Sequence, residues 1–138
     1  MSQSIRSIAR EKATFGIYQH LTVGSDRDDI LTYIGYDGIL VEGQSGFKFA
    51  RRLVDFVLTN EESYIALISK YLKTGWRFER LGQMDQAILL IATAELLETE
   101  LSPAVIINEA VENAKKYCDE NHYRYINGVL SHLVTRGE

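Results

Sequence analysis

Apolar residues recur at helical spacing along most of the chain. In the stretch 103–118 they lie three or four residues apart, at Ile107, Ala110, Val111, Ala114 and Cys118. This spacing is the period of one face of an α-helix. Ser102-Pro103 comes directly before it, and proline is favoured at the first helical position because its fixed φ suits the helix. The pattern predicts a helix over 103–118 that begins at a serine cap.

The preceding segment, 83–98, is apolar almost all round, as a central buried helix would be. Glu95 falls on the same stripe as Ile88 and Ile91. Because a buried carboxylate is costly unless it is paired, Glu95 needs a partner or an opening to solvent. A structural partner is the favoured interpretation.

Weaker helical patterns cover most of the remaining sequence. They lie at 3–21, 27–35, 46–58, 61–73 and 121–134. Thr59-Asn60 separates two of these segments, and the glycine-rich stretch 22–46 is the least regular part of the chain. Alternating strand patterns are absent from the sequence. We therefore predict an all-α fold, a compact bundle of six to seven helices in one domain over 1–138.

The composition is that of a globular protein, with 46% apolar and 25% charged residues among 138. One cysteine, Cys118, excludes an internal disulfide and fits a reducing compartment. No apolar run approaches the ~20 residues that span a bilayer, and the first residues lack the apolar core of a signal peptide. We expect a cytoplasmic protein with no membrane contact.

Charge is distributed unevenly along the chain. The net charge of −4 argues against a nucleic-acid coat over the whole surface. The segment 85–112 nevertheless carries six acidic residues and no basic one, whereas 47–84 carries seven basic and four acidic residues. Two faces of opposite sign would suit two different partners, and scattered solvated charge is the alternative.

Catalytic and metal-binding motifs are not evident in the sequence. His20, His122 and His132 stand alone, and nothing resembles a P-loop or a dinucleotide-binding glycine fingerprint. We therefore expect no metal, no cofactor and no enzymatic activity. The chain is interpreted as a binding protein.

Arginine and tyrosine occur together at two places. Arg6, Arg10 and Tyr18 lie on one row of the first predicted helix, at multiples of four residues. Arg124-Tyr125 repeats the pairing near the last helix. Guanidinium groups suit phosphates and tyrosine rings stack on unpaired bases, so this combination is what a single-stranded RNA surface needs. Tyr71 lies among lysines as well, with core packing as its alternative role.

Several segments resemble the transcription antitermination factor NusB family. The segment 107–116, INEAVENAKK, is similar to the family signature I-N-E-A-V-E-x-A-K, and 125–130, YINGVL, is similar to F-V-N-G-V-L. The segments 76–81 and 86–97 resemble the W-x-x-x-R-L and A-I-L-R-I-A-x-x-E-L blocks, and 9–18 resembles the family's opening. Order and spacing are kept over nearly the whole chain except 22–46.

The resemblance implies an all-α fold of two helical subbundles and a function in transcription. Family members bind the boxA element of nascent ribosomal RNA together with NusE, a small-subunit ribosomal protein, in the elongation complex. By matching position, the resemblance implies RNA contacts at Arg6, Arg10, Tyr18, Tyr71, Gln83, Arg124 and Tyr125. It implies NusE contacts in the acidic region at Asp85 and Glu109. The resemblance also implies either a monomer or a homodimer, and a homodimer could hide the RNA surface.

The sequence also departs from the family pattern. Ser7 and Ile8 stand where further arginine or polar residues are usual, so the arginine-rich motif is thinned. Each lost phosphate contact would weaken RNA binding. A protein-interaction module with weakened RNA binding is therefore the alternative hypothesis, and an enzyme fragment is the least favoured one. Asn127, which precedes Gly128 within the last helix, is interpreted as a buried amide that bridges helices.

Overall fold

The structure, a computed structural model, describes residues 4–136, and side chains up to residue 134. Within that part of the chain the secondary structure is helical, with no strand. The six helices are α1 (Ile5–Val23), α2 (Arg27–Gly35), α3 (Ser45–Ser69), α4 (Gln83–Glu98), α5 (Pro103–Tyr117) and α6 (His122–Arg136). The all-α prediction is confirmed. The predicted start of the first helix at residue 3 lies outside the described residues.

Helix α4 is the centre of the molecule. Every residue from Asp85 to Glu95 is buried, which agrees with the apolar surface that the sequence shows all round this helix. Helices α1, α3, α5 and α6 all pack against α4; α1 and α3 also pack against each other, as do α5 and α6. Helix α2 rests on α1 and α3. The first three helices and the last three thus form two subbundles, as the resemblance implies.

Helix α3 contains the two predicted helices, joined at a kink. Asn60, at the predicted separation, has the non-helical angles φ −118° and ψ 20°, so the interruption predicted there is confirmed. The Asn60 amide Nδ2 donates to the carbonyl oxygen of Phe56 at 2.9 Å, which supports the last turn before the bend. The helix ends at Ser69, four residues before the predicted end at 73. The residues from 70 to 82 are therefore free to form the connection that carries part of the candidate site.

The predicted start of α5 is confirmed, with Ser102 at the N-cap and Pro103 at the first helical position, although the Ser102 side chain makes no capping hydrogen bond. Asn127 is exposed instead of buried, and a Cβ added at Gly128 would meet nothing within 4 Å. This pair therefore does not bring two helices together. Among residues 4–136, no helix is both long and apolar enough to cross a membrane.

Candidate nucleic-acid interface

The connection between α3 and α4 presents a tryptophan and two arginines at the surface. Its short 3₁₀ helix, Phe78–Arg80, is anchored by Phe78, which is buried in the core. Gly75 precedes this turn with φ +90°, a conformation that favours glycine. The chain then leaves Trp76 45% exposed, with the side chains of Arg77 and Arg80 exposed beside it.

A buried carboxylate supports the neighbouring helix α6. Asp85 lies in the first turn of α4 and is only 3% exposed. Its Oδ2 accepts a hydrogen bond from the Tyr125 hydroxyl at 2.6 Å and faces Nδ1 of His122 at 2.8 Å. A buried carboxylate requires such partners, and they in turn fix the Tyr125 and His122 side chains relative to α4.

The surroundings of Asp85 keep its neighbours protonated. Burial, and then the hydrogen bond to Asp85, raise the pKa of the Tyr125 hydroxyl above its ordinary value. Burial and the same carboxylate raise the pKa of the Cys118 thiol. Cys118 is thus a partly buried, protonated side chain and not a reactive thiolate.

These side chains line an open groove of about 580 Å³, which we call the Asp85 groove. Its walls include Trp76, Arg77, Arg80, His122 and Tyr125, with Asp85 at its base. The Tyr125 ring meets Trp76 edge to face, with centroids 5.3 Å apart, and meets His122 similarly at 5.8 Å. The groove combines aromatic rings held in place with two exposed guanidinium groups, the pairing that binds unpaired bases and their phosphates.

The end of helix α1 approaches the start of α4, beside this groove. The exposed Gln83 donates from Nε2 to the carbonyl oxygen of Leu21 at 3.4 Å. Tyr18 lies one turn earlier on α1, half-buried with its ring packed on the core. Two predicted RNA contacts, Tyr18 and Gln83, are therefore carried by adjoining helix ends.

Tyr71, in the connection that follows α3, lies beside α6. Its ring stacks on the exposed His132 ring, with centroids 5.7 Å apart and an interplanar angle of 3°. His132 is seven residues after Tyr125, two turns along the same face of α6, or about 10 Å. Tyr71 is also partly packed against the core, which agrees with the alternative role considered for it.

Arg124 faces a different groove from its neighbour Tyr125. It is exposed, with its guanidinium 5.9 Å from the centre of the Tyr123 ring. Together with Asn127 and Val111 it lines a groove of about 530 Å³ between α5 and α6. Successive helical residues point about 100° apart, so the Arg124-Tyr125 pair serves two adjacent surfaces.

Arg10 is buried, contrary to its expected place on the RNA surface. It is 5% exposed, and its Nε and Nη2 donate to the Glu95 carboxylate at 2.6–2.8 Å. Its Nη1 also lies 3.6 Å from Oε1 of Glu109. The partner that the sequence required for Glu95 is thus Arg10, and this guanidinium is committed to the interior.

The arginine row on α1 is divided by this arrangement. Arg6 remains exposed, with its guanidinium 4.7 Å from the centre of the Phe49 ring. Lys12 forms an ion pair with Asp37 at 2.5 Å. Arg6 precedes Tyr18 by twelve residues, about 18 Å along the helix. The motif that the sequence already shows as thinned therefore offers RNA even less positive charge than expected.

The two predicted partner contacts also differ in accessibility. Asp85 is enclosed beneath Tyr125 and His122, so its carboxylate does not reach the surface as a docking group would. The Glu109 side chain is 26% exposed and accepts a hydrogen bond from the Ser7 hydroxyl. No cluster of three or more His, Cys, Asp or Glu side chains that could hold a metal occurs among the described residues.

The model of the NusB family matches residues 7–135. The chain belongs to the NusB family. A curated relative, the transcription antitermination protein NusB of Lactococcus lactis, is 42% identical over 101 residues. That match covers 73% of this chain but 53% of the relative, so the chain spans about half the length of that protein. None of these names describes a catalysed reaction.

Solved structures of NusB share the fold. T. maritima NusB is 32% identical, covers 98% of this chain and 93% of its own, and superposes with a TM-score of 0.78. A crystal structure of antitermination factors NusB and NusE in complex with dsRNA is 25% identical. It covers 96% of this chain and 97% of its own, with a TM-score of 0.84.

Four side chains of the Asp85 groove that carry an aromatic ring or a guanidinium group were not identified from the sequence as site residues: Trp76, Arg77, Arg80 and His122. Trp76 and Arg80 belong to the W-x-x-x-R-L block that resembles the NusB pattern, so the signal was present in the motif. His122 follows Asn121, which has a positive φ of 71°. Such a residue outside glycine is uncommon and often occurs at functional positions.

Proposed function

We propose that this chain binds boxA-type single-stranded RNA of nascent ribosomal RNA transcripts jointly with NusE. In the bacterial elongation complex this binding would support processive transcription. The observation that carries the proposal is the Asp85 groove, in which a tyrosine ring held by a buried carboxylate meets an exposed tryptophan beside two arginines. The NusB–NusE complex named above contains double-stranded RNA, whereas the aromatic rings of the Asp85 groove favour unpaired RNA.

The rings of the groove are ordered before any ligand binds. Tyr125 is fixed by its hydrogen bond to Asp85 and by edge contacts with Trp76 and His122. Stacking of a base on an aromatic side chain contributes about 1–3 kcal/mol. Because the rings lose little freedom on binding, most of that contribution remains available to affinity.

The RNA surface that we propose extends from this groove along α1 and α6. It includes six residues that the sequence predicts, Arg6, Tyr18, Tyr71, Gln83, Arg124 and Tyr125, and it adds Trp76, Arg77 and Arg80. Arg10 becomes a positioning residue, since its guanidinium joins α1 to α4. Asp85 acts similarly by holding the Tyr125 ring.

For the NusE surface we propose the exposed acidic side chains of the 85–112 region. Glu109 remains a candidate because its side chain is partly accessible on α5. Asp85 would act on this partner only indirectly, through the position of α6. An acidic surface beside a basic and aromatic groove would let a basic ribosomal protein and RNA bind side by side.

Fluorescence anisotropy of labelled boxA RNA tests the proposal directly. The RNA is titrated with the chain alone and with an equimolar mixture of the chain and NusE, each at two salt concentrations. We expect weak binding alone, tighter binding with NusE, and affinity that falls as salt rises. The double variant Arg77→Gln/Arg80→Gln should reduce the salt slope by about two if both side chains contact phosphates.

Arg52→Gln is the matched control, because Arg52 is an exposed arginine of α3 that lies over Phe56, outside the groove. It should leave both affinity and salt slope unchanged. If NusE failed to raise the affinity for boxA RNA, the proposed joint binding would be wrong.

One observation favours a second candidate, a protein-interaction module with weakened RNA binding. Burial of Arg10 and the ion pair of Lys12 leave Arg6 as the exposed member of the basic row on α1. Under this alternative NusE would bind the chain with unchanged affinity in the presence and absence of RNA.

Analytical ultracentrifugation of the same samples also tests for a homodimer, which should dissociate on RNA binding if it covers the groove.

A further inference from the structure

A second pair of aromatic rings lies on the surface, outside the Asp85 groove. Phe15 of α1 is half-buried, and Tyr117 at the end of α5 is 39% exposed. Their ring centroids are 4.8 Å apart with an interplanar angle of 71°. Neither ring is part of the hydrophobic core formed by the described residues, so interior packing does not account for them.

Polar contacts hold this ring pair in place. The Tyr117 hydroxyl donates to Oε2 of Glu11 at 2.9 Å, and Nζ of Lys116 lies 3.4 Å from the same oxygen. Burial and Glu11 raise the pKa of Tyr117 to about 12, so the hydroxyl stays protonated at neutral pH. Lys116 thus compensates the Glu11 carboxylate, which the Tyr117 hydroxyl also contacts.

The pair adjoins the proposed RNA surface. Phe15 and Tyr18 are three residues apart on α1, and such residues lie on the same helix face. Tyr117 directly precedes Cys118, whose thiol lies close to Asp85 at the base of the groove. The two rings and the groove thus follow one another along the seam between α1 and the α5–α6 connection.

We propose that Phe15 and Tyr117 form a second stacking platform, which binds one further unpaired nucleotide of the RNA beyond the Asp85 groove. The proposal rests on the proposed function, since it lengthens the same single-stranded path. An aromatic face in contact with solvent is chemically suited to a base of any identity. The platform therefore raises the affinity for RNA and makes that affinity depend on the length of the RNA, but it adds no preference for a particular base.

A length series of RNA tests the platform. Binding of the chain with NusE is measured for a labelled boxA core RNA and for the same RNA extended by two uridines at the 5′ or the 3′ end. With the unaltered chain, extension at one end should raise affinity by about fivefold or more, the lower range for stacking of one base. Phe15→Leu keeps an apolar side chain but removes the ring face, so it should abolish this gain and leave the affinity for the core RNA unchanged.

Two controls accompany this variant. Phe15→Trp keeps a ring and should retain the gain, and Tyr36→Ala removes a tyrosine that is 86% exposed on another surface and should behave as the unaltered chain. The platform is overturned if extension raises affinity at neither end, if Phe15→Leu keeps the full gain, or if it weakens core and extended RNAs equally. Failure of every RNA to bind with NusE would instead overturn the proposed function, and the platform with it.

Discussion

Removing the charge of Arg10 should destabilise the protein more than removing the charge of any exposed arginine. The variant Arg10→Met keeps the aliphatic part of the side chain and removes the guanidinium. In the native structure that guanidinium makes three contacts of 2.6–2.8 Å with Glu95, whose side chain is 1% exposed. The variant therefore leaves a carboxylate inside the bundle without its cation.

The size of the effect follows from this geometry. Breaking a buried ion pair by removing one partner costs about 3–5 kcal/mol, a large part of the ~5–15 kcal/mol that stabilises a typical domain. A cavity of about 10 Å³ borders the pair, which is at the lower limit for a single water, so solvent offers the bare carboxylate little relief. The melting temperature should fall by roughly 10–20 °C for a domain of this size.

Thermal and urea unfolding, followed by circular dichroism, measure this loss. The matched control is Arg10→Met/Glu95→Leu, in which both charges are replaced by apolar side chains of similar volume. Such replacements are often neutral or stabilising, so the double variant should recover most of the lost stability. An unchanged melting temperature for Arg10→Met, or a double variant less stable than the single one, would refute the assigned role of the pair.

Three further predictions follow from local geometry. Gly16→Ala should destabilise the protein by about 1–3 kcal/mol, because the added Cβ would lie 2.5 Å from Cγ2 of Ile30. Gly128→Ala should leave stability unchanged or raise it by up to about 1 kcal/mol, because its Cβ would meet nothing within 4 Å; the urea midpoints of the two variants test this difference. The free energy of unfolding should fall as pH rises from 10 to 12. The reason is that an unfolded tyrosine loses its proton near pH 10, whereas the pKa of Tyr117 in the folded protein is about 12. Tyr117→Phe should therefore reduce this pH dependence, which urea titrations at a series of pH values measure. Arg124 lowers the pKa of Tyr123 through its hydrogen bond and charge, so Arg124→Gln should raise that pKa in an ultraviolet titration of tyrosinate.

Helix positions were predictable because local signals determine them. The predicted bounds 27–35 and 83–98 agree with α2 and α4. The signals that determine them, the spacing of apolar residues and the capping residues, lie within the helix or next to its ends. Asn60 was recognised as an interruption, and the structure has a kink with non-helical backbone angles at this residue. The sequence also showed that Glu95 needs a partner, because Glu95 lies on the same apolar helix face as Ile88 and Ile91.

The identity of that partner depended on contacts distant in sequence. Arg10 lies 85 positions before Glu95, and its row on α1 looked continuous from Arg6 to Tyr18. Each step of four residues turns about 40° around a helix, so the row swings by about 120° and passes from the surface into the interior. The same limit applies to Trp76, whose place beside Tyr125 depends on how the 70–82 connection folds over α4 and α6.

Fluorescence of Trp76 is the most direct test of the central claim that RNA occupies the Asp85 groove. Trp76 is the one tryptophan of the sequence, and it lies in the groove wall against Tyr125. BoxA RNA is titrated into the chain with NusE, and the NusE signal is subtracted. We predict that Trp76 emission is quenched with the same midpoint as anisotropy of the labelled RNA. Binding detected by anisotropy with unchanged Trp76 emission would contradict the account.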